Sequence, residues 1–507
     1  MKKKYVRWTL WTIASPFILF IILCILIYLP PIQNFLVDKA AVYASEATGM
    51  NISVGRISLS FPLNLVVTNV DAASPHNDTL LSVRRLQVNV QLLPLLKKQV
   101  EVDGISLQGA TVNSNDLIHG MKLNGTLGEL FISSHGVALD PETAIVNKVL
   151  LKDTDLSLCL NDTAAADTAA SDTTYWKIIL QDIDLQNVSF ALDMPLDSLS
   201  LAASLDNAIL RDGLIDLHKS AYSLQTFRIE NGRVRYDNGK PLAADSLSSG
   251  LDPSHIALTD IGVKLDSLYY GGRNMKAIIS QFVLKERSGV EIVSATGRMV
   301  SNDKVLRVPS LKLETRDSYL ELNAAMDWNA LDFKGEGLMS ARLMADIGKP
   351  DVVRFMGRMD EKFVRQYPSE PLRIRTGIDG DLNKLKLTTL TAELPGALGL
   401  FARGELTHLT DSLLRGGDIT LEAETKDLKF VSTLAEGIEI PYGTRLEGKF
   451  TMAGAKMGTD LLLMQPEAQA VAAADTIPIT VYNDSISVAD DFKMERAARL
   501  FAKYDLS

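Results

Sequence analysis

The stretch of sequence that decides the fold is Leu86-Gln-Val-Asn-Val-Gln-Leu92, in which apolar and polar residues alternate without interruption. Successive side chains of a β-strand point to opposite faces, so a period of two predicts a strand with one apolar and one polar face. The same alternation recurs in about twenty segments, separated by turns rich in Asn, Asp and Gly. The sequence therefore predicts a mainly β fold, an elongated and repetitive antiparallel β-sheet with few short helices.

Apolar residues at helical spacing are much rarer than strand-like segments in this sequence. They predict an amphipathic helix over residues 30–48, a helical insertion over 350–370 that contains Phe355 and Phe363, and a C-terminal helix through Leu500. For the last two helices, we expect the apolar stripe to pack against the sheet.

A long sheet with one apolar face has to bury that face, and the predicted helices are too few to cover it. Either the sheet folds over on itself as a sandwich, or it curls into a groove whose apolar lining is covered by a ligand. At about 4.8 Å per strand, some twenty strands would extend for roughly 100 Å, which suits a conduit. The candidate lining residues of such a groove are Leu86, Val88, Val90, Leu92, Ile183, Leu185, Leu320, Leu322, Leu398 and Leu400.

The N-terminus has the pattern of a membrane anchor. Three lysines and Arg7 precede an apolar run from Trp8 to Leu29 that contains no charged residue. As a helix this run would span about 33 Å, enough to cross a hydrocarbon core, whereas the apolar region of a cleaved signal peptide is only about 7–15 residues long. Because basic residues stay in the cytoplasm, we expect a cytoplasmic tail over 1–7, a single-pass transmembrane anchor over 8–29 in the inner membrane, and a periplasmic body.

Composition and motifs argue against catalysis and against nucleic acid as a partner. The 507 residues carry 52 basic and 62 acidic side chains, a net charge of −10. The two cysteines are too few for a disulfide scaffold or a four-cysteine metal site. Gly443-Thr-Arg-Leu-Glu-Gly-Lys449 resembles the start of a P-loop, but Phe450 follows where Ser or Thr must hold magnesium, and the residues alternate as in a strand. We therefore expect no enzyme activity, no metal and no cofactor.

Changes in pattern divide the chain into segments. Residues 49–160 are predicted to form an N-terminal β module, and residues 161–174 a low-complexity loop without packing side chains larger than alanine. The β-groove continues over 175–349 and 371–457, on either side of the helical insertion. Residues 458–507 are predicted to form an irregular segment followed by the C-terminal helix.

The order of several segments resembles that of a known family. The matching segments are Ala44-Ser-Glu-Ala-Thr-Gly49, Ile52-Ser-Val-Gly-Arg-Ile-Ser-Leu59, Asp78-Thr-Leu-Leu-Ser-Val-Arg-Arg-Leu-Gln-Val-Asn-Val90 and Val102-Asp-Gly-Ile-Ser-Leu-Gln-Gly-Ala-Thr-Val112. Their order is similar to that in the AsmA-like superfamily, specifically the TamB (translocation and assembly module) branch found in Bacteroidota. The resemblance is good over residues 1–112 and diffuse beyond them, to about residue 457.

This resemblance implies a periplasmic, U-shaped β-groove with a hydrophobic interior, tethered to the inner membrane. It also implies phospholipid acyl chains as ligands and, for the TamB branch, an outer-membrane barrel assembly protein as partner. TamB proteins usually end in a C-terminal domain that this chain, which stops at Ser507, does not contain. We therefore expect either a short member of the family or the N-terminal portion of a longer protein.

Two functions follow as expectations from the resemblance and the one-sided strands. The first is transport of phospholipid between the inner and outer membranes in support of outer-membrane biogenesis. The alternative is a periplasmic scaffold for outer-membrane protein translocation and assembly, without lipid conduction.

A second pattern consists of Asp followed by Ser or Thr and then a small or aliphatic residue or Thr. It resembles the O-glycosylation sequon of exported Bacteroidota proteins, and we expect Thr163, Thr168 and Thr173 to be the most accessible candidates. The same pairs also favour turns, because these side chains hydrogen-bond to nearby backbone groups. Both interpretations remain open at the level of sequence. The further sites are Thr79, Ser198, Ser246, Ser267, Ser412, Thr476 and Ser485.

Overall fold

The computed structural model divides into two compact units, Met1–Pro241 and Leu242–Ser507, which are described separately. The predicted transmembrane anchor over 8–29 lies outside the described residues. In the part of the chain that is described, no helix combines the length and the apolar character needed to span a membrane. The described residues are 39, 41–42, 45–46, 48–60, 64–74, 79–91, 102–114, 120–138, 142–161, 175–240, 250–332, 336–356, 361–433, 442–454, 456–466, 487–488 and 495–505.

The first unit is built from long strands that follow a short helical stretch. The described positions between 39 and 48 have helical backbone, within the amphipathic helix predicted over 30–48. A single 3-10 turn, Pro195–Asp197, separates two of the longest strands. The strands are β1 (Asn51–Ser60), β2 (Asn64–Ala73), β3 (Thr79–Val90), β4 (Val102–Asn113), β5 (Met121–Ala138), β6 (Thr143–Leu160), β7 (Lys177–Met194), β8 (Leu199–Asp216), β9 (Ala221–Leu224) and β10 (Thr226–Asp237).

Neighbouring strands of this unit pair in chain order, with one exception to the antiparallel pattern. Strands β1 to β6 form antiparallel pairs, β7 pairs antiparallel with β8, and β8 pairs with β9 and β10 in succession. Strands β6 and β7, however, run parallel, so the predicted antiparallel pattern is interrupted at this pair. Parallel neighbours need a crossover of a dozen residues or more. The chain between Leu160 and Lys177 is long enough for one, and residues 162–174 of the predicted low-complexity loop lie outside the described residues.

A line of irregular positions crosses every long strand of the first unit at the same level. In β1 the alternation of exposed and half-buried residues slips by one at Gly55 and Arg56, which are both exposed, and the pairing with β2 skips Gly55 and Asn69. The same skip continues through the whole unit, so neighbouring strands stay in register. Bulged strands bend and twist more strongly, so these positions crease the sheet across its strands. The crease positions are Gly55, Asn69, Arg84, Gly109, Gly128, Asp153, Asn187, Asp206 and Asn231.

Residue types at the crease explain why the bend forms there. Asn69, Asp153, Asn187 and Asn231 have φ angles between 50° and 53°, in the left-handed region. Short polar side chains that hydrogen-bond locally tolerate this region better than other non-glycine residues. Asn187 Nδ2 donates to Asp153 Oδ1 across the parallel pair at 2.9 Å. At these four positions the residue type therefore suits the backbone conformation of the crease.

The second unit is an antiparallel sheet whose strands β11 to β22 pair in chain order. Strand β24 pairs with β22 and also with the short β23. The strands are β11 (His255–Gly271), β12 (Asn274–Glu286), β13 (Glu291–Ser301), β14 (Val305–Thr315), β15 (Tyr319–Asp327), β16 (Met339–Ile347), β17 (Leu372–Gly380), β18 (Lys384–Leu394), β19 (Leu398–Thr407), β20 (Gly416–Thr425), β21 (Arg445–Ala453), β22 (Lys456–Pro466), β23 (Ser487–Val488) and β24 (Glu495–Asp505).

Two short helices, α1 (Lys349–Met356) and α2 (Glu361–Gln366), connect β16 to β17. Phe363 of α2 is 1% exposed and lies in a core cluster with Tyr367, Leu394 and Phe430. The remaining members of this cluster are Ala397 and Leu428, and further short 3-10 turns lie at Trp328–Asp332 and Val431–Thr433. The prediction that the apolar stripe packs against the sheet is confirmed for Phe363. Phe355, which belongs to the same predicted helical insertion, is instead 56% exposed.

The buried side chain of Asp351 fastens the start of α1 to the turn between β14 and β15. This carboxylate is 1% exposed and accepts hydrogen bonds from Ser318 Oγ at 2.6 Å and from Thr315 Oγ1. It also pairs with Arg354 at 3.1 Å, so the buried charge is neutralised within the helix. A buried carboxylate needs such partners, because its desolvation would otherwise be costly.

The prediction of a mainly β fold with an antiparallel sheet and few helices is confirmed, but two local expectations at the C-terminus are wrong. Residues 458–507 are predicted to form an irregular segment and a C-terminal helix, but 458–466 belong to strand β22 (Lys456–Pro466) and Glu495–Asp505 form β24. Around Leu500 the apolar residues fit both a helical spacing and a period of two. Backbone pairing of β24 with β22 decides between the two patterns.

Candidate functional site

The first-unit apolar face is a set of cross-strand rows on one side of the sheet. Strand pairing places Val88 and Ile183 in one row and Leu86 and Leu185 in the next, although the members of the two pairs lie 95 and 99 residues apart in the sequence. Val90 extends β3 beyond these rows, and Leu92 lies outside the described residues. The two rows are Leu59, Leu65, Val88, Ile105, Ile132, Val149, Ile183, Leu210 and Phe227, and Ile57, Val67, Leu86, Leu107, Leu130, Leu151, Leu185, Ala208 and Ile229.

These rows are not sealed by a second layer in the described part of the unit. Ala208 is buried at 4% exposure, whereas every larger apolar side chain in the two rows is half-buried or exposed. Ile105 reaches 37%, and Phe190 on the other side of the crease reaches 38%. At about 4.8 Å between neighbours, each row runs for about 38 Å across the sheet. The face is therefore a long, continuous and accessible apolar surface.

The second-unit apolar face has a different composition. Leu320 and Leu400 lie in one row and Leu322 in the next. Along these rows leucines are interspersed with Ala, Gly and Thr, and Ala345 and Ala402 are only 2% and 3% exposed between their larger neighbours. The two rows are Phe282, Ala295, Leu313, Leu320, Ala345, Ile374, Ala392, Leu400, Ala423 and Leu446, and Ile279, Gly297, Leu311, Leu322, Leu343, Thr376, Leu390, Ala402, Leu421 and Gly448.

One end of this face is closed by the helices. Leu398, which is also among the predicted lining residues, lies one row beyond Leu400 and packs against the cluster around Phe363. The aromatic rings of Phe363 and Phe430 stack edge to face, with centroids 5.8 Å apart. Leu398 is therefore half-buried against a cluster of the protein's own side chains.

Methionines line the opposite end of the second-unit apolar face. We call the outermost row at this end the methionine row. Alternation in the sequence does not reveal it, because a period of two does not distinguish methionine from leucine. Each of its methionines lies close to a turn between strands, which is the signal that could have revealed it. The row comprises Tyr270, Met275, Ser301, Leu306, Met326, Met339, Gly380, Leu385, Leu406, Gly417 and Met452.

The opposite faces of both sheets carry polar and charged side chains. Arg211 pairs with Asp184 at 2.8 Å in the first unit, and Arg375 pairs with Asp346 at 2.7 Å in the second. Each arginine also donates to main-chain carbonyls of its own and the neighbouring strand, such as Ile183 O at 3.1 Å. Such half-exposed pairs contribute little stability, on the order of 0–1 kcal/mol each. Their main consequence is to keep one face of each sheet hydrated.

Titratable groups of the described residues do not form a reaction centre of recognisable geometry. No three His, Cys, Asp or Glu side chains come together there as a metal site would require. The Cys159 thiol donates to Asn161 Oδ1 at 3.2 Å. Hydrogen bonds from the Ser254 backbone and from His255 lower the pKa of Asp252, and burial raises the pKa of Tyr367. Both shifts are explained by local packing.

The candidate glycosylation sites are only partly described. Thr163, Thr168 and Thr173 lie outside the described residues. Ser198 and Ser412 are exposed in turns, whereas Ser267 is half-buried within β11. At Ser412 the turn interpretation has direct support, because Asp411 Oδ1 accepts a hydrogen bond from the Leu413 backbone at 2.8 Å. Glycosylation itself stays a prediction.

Comparison with known proteins adds no assignment to this geometry. No protein-family model matches the chain, and no curated protein matches it.

Proposed function

We propose that this protein is an inner-membrane-anchored periplasmic β-groove that carries phospholipid between the inner and outer membranes. The single observation that carries the proposal is the pair of continuous apolar rows across β1 to β10, whose large side chains stay accessible. The apolar run from Trp8 to Leu29 and the resemblance to the AsmA-like superfamily supply the expected compartment. Acyl chains would lie against the apolar faces while head groups stay in water.

The composition of the rows favours a passive mechanism. Burial of apolar surface contributes roughly 25 cal/mol per Å², in proportion to area and without directional contacts. The first-unit rows contain only aliphatic and aromatic side chains, so neighbouring positions offer similar binding energy. An acyl chain could therefore move along the row without being trapped at a position of much lower free energy.

The proposal is tested by extracting the full chain in mild detergent and identifying the copurified lipid by mass spectrometry. We expect several phospholipids per chain, and fewer when a charge replaces an inward residue. A neighbouring residue on the polar face provides a matched control on each strand. The test substitutions are Val88→Glu, Leu185→Glu and Leu322→Glu, and the controls are Gln87→Glu, Gln186→Glu and Asn323→Glu. Unchanged lipid in folded test variants would contradict the groove.

One observation favours the alternative, a scaffold for outer-membrane proteins. Phe355 and Met356 are 56% and 48% exposed at the end of α1, where they form an apolar surface that a protein client could contact. A photo-crosslinking residue at Phe355 tests this function in the native host. Crosslinks to barrel precursors, together with lipid-free protein, would favour the scaffold over the conduit.

A further inference from the structure

Methionine is strongly concentrated in the methionine row. Across β11 to β21 it occupies four of the eleven positions in this row, Met275, Met326, Met339 and Met452, against 15 of 507 residues in the whole chain. Strand pairing continues the row to Met457 of β22. Met326 and Met339 are direct cross-strand partners on β15 and β16. Leucine occupies most of the large-side-chain positions in the rows of Leu320 and Leu322, so the sheet does not require a thioether at such positions.

We propose that the methionine row is an oxidation-sensitive edge of the second-unit apolar face, where conversion of the thioethers to sulfoxides lowers the affinity for acyl chains. The inference rests on the proposed function, because it assigns regulation to the same surface. It adds a modification site that the groove itself does not require.

The location of the row makes it the accessible edge of this face. At the other end of the strands, Phe363 and its cluster cover the apolar surface around Leu398. The methionine row lies at the end of the strands away from this cluster, so its side chains can contact an acyl chain that lies on the second-unit apolar face. All four methionines are half-buried, so an oxidant can reach their sulfur atoms without unfolding of the sheet.

The chemistry requires an oxidant such as hypochlorous acid. The thioether sulfur attacks the chlorine and displaces hydroxide, which gives a chlorosulfonium ion. Water then adds to sulfur as chloride leaves, and two protons are lost, one of which neutralises the hydroxide. The net products are the sulfoxide and hydrochloric acid. Sulfur is oxidised by two electrons and chlorine is reduced by two. The product replaces an apolar side chain by a polar one that accepts hydrogen bonds. Burying such a group beneath an acyl chain without a donor is unfavourable.

The test uses the full chain and a phospholipid with a pyrene-labelled acyl chain as probe. After treatment with hypochlorous acid and confirmation of the sulfoxides by peptide mapping, we expect the affinity to fall at least tenfold. Treatment with methionine sulfoxide reductases should restore it. The resistant variant replaces the row together with Met457, the register partner of Met452. It carries Met275→Leu, Met326→Leu, Met339→Leu, Met452→Leu and Met457→Leu.

Met344 and Met356 provide the matched control. Met344 lies on β16 with Met339 but on the opposite face, and the two control residues are 42% and 48% exposed. A Met344→Leu, Met356→Leu variant should lose binding on oxidation as the wild type does, whereas the resistant variant should keep it. Circular dichroism before and after treatment checks that the sheet remains folded.

The outcomes separate this inference from the proposed function. If the untreated chain does not bind the probe, the lipid groove itself is wrong. If it binds, the inference is overturned when affinity survives oxidation of the row, when the row resists oxidation in the folded protein, or when the resistant variant loses binding like the wild type.

Discussion

The helical closure of the second-unit apolar face depends on one side chain, Phe363. Its ring is 1% exposed and lies 5.5 Å from the ring of Tyr367 and 5.8 Å from that of Phe430. Replacing a buried Phe by Ala costs about 3–5 kcal/mol, from lost burial and the cavity left behind. With only six residues, α2 is too short to remain helical without this packing. We therefore expect Phe363→Ala to release α2 from the sheet while the distant strands keep their pairing.

Hydrogen–deuterium exchange of the full chain measures this release segment by segment. A loss of about 3 kcal/mol in local stability corresponds to exchange faster by roughly two orders of magnitude in peptides covering α2. Peptides from β6 and β7 should be unchanged. Phe355→Ala, in the same helical insertion but at a 56% exposed position, should alter exchange little. Equal protection in the two variants would refute the assignment of the closure to the Phe363 cluster.

Three further predictions concern the crease, the buried tyrosine and the glycosylation pattern. Asn187→Val places a β-branched side chain at φ 52° and should destabilise the first unit by about 1–2 kcal/mol in urea unfolding, whereas Asn187→Gly should be tolerated. Burial raises the pKa of Tyr367, so the stability contributed by its neutral phenol is present below pH 10 and is lost as the pH rises towards the folded-state pKa. Tyr367→Phe should therefore flatten the decline of melting temperature above pH 10. An unchanged slope would count against this role of Tyr367. If Ser412 carries glycan in the native host, Ser412→Ala should lower the intact mass by a glycan unit, whereas a purely turn-forming role predicts only the loss of one oxygen atom.

Much of each apolar face could be predicted from the sequence, because alternation is a local property that strand pairing preserves. Val88 and Ile183 share a row since every strand between them presents apolar residues in the same phase. The slip of phase at Gln186 and Asn187 is also visible in the sequence, where two polar residues follow Leu185. What the sequence does not show is that the slips align across the unit, since alignment depends on register.

The features that sequence reading missed depend on contacts between distant segments. The parallel pairing of β6 and β7 requires knowledge of where the crossover returns the chain. Leu398 alternates like any groove residue, yet it packs against the cluster around Phe363. Around Leu500, the helical and strand patterns coincide, and only the pairing with β22 distinguishes them. In each case a local pattern was compatible with two environments, and tertiary structure selected one.

The size of the first-unit apolar face suggests that a ligand or a partner covers it. Each strand has four apolar positions at intervals of about 6.7 Å, so the face extends for about 20 Å along the strands. With a row length of about 38 Å across the strands, its area is roughly 800 Å². Soluble monomers rarely expose contiguous apolar patches beyond about 300–600 Å². A protein partner that covered this face would gain specificity from polar groups within it, but the two central rows contain no polar side chain. An occupant held by area alone fits better, and acyl chains would be such an occupant under the proposed function.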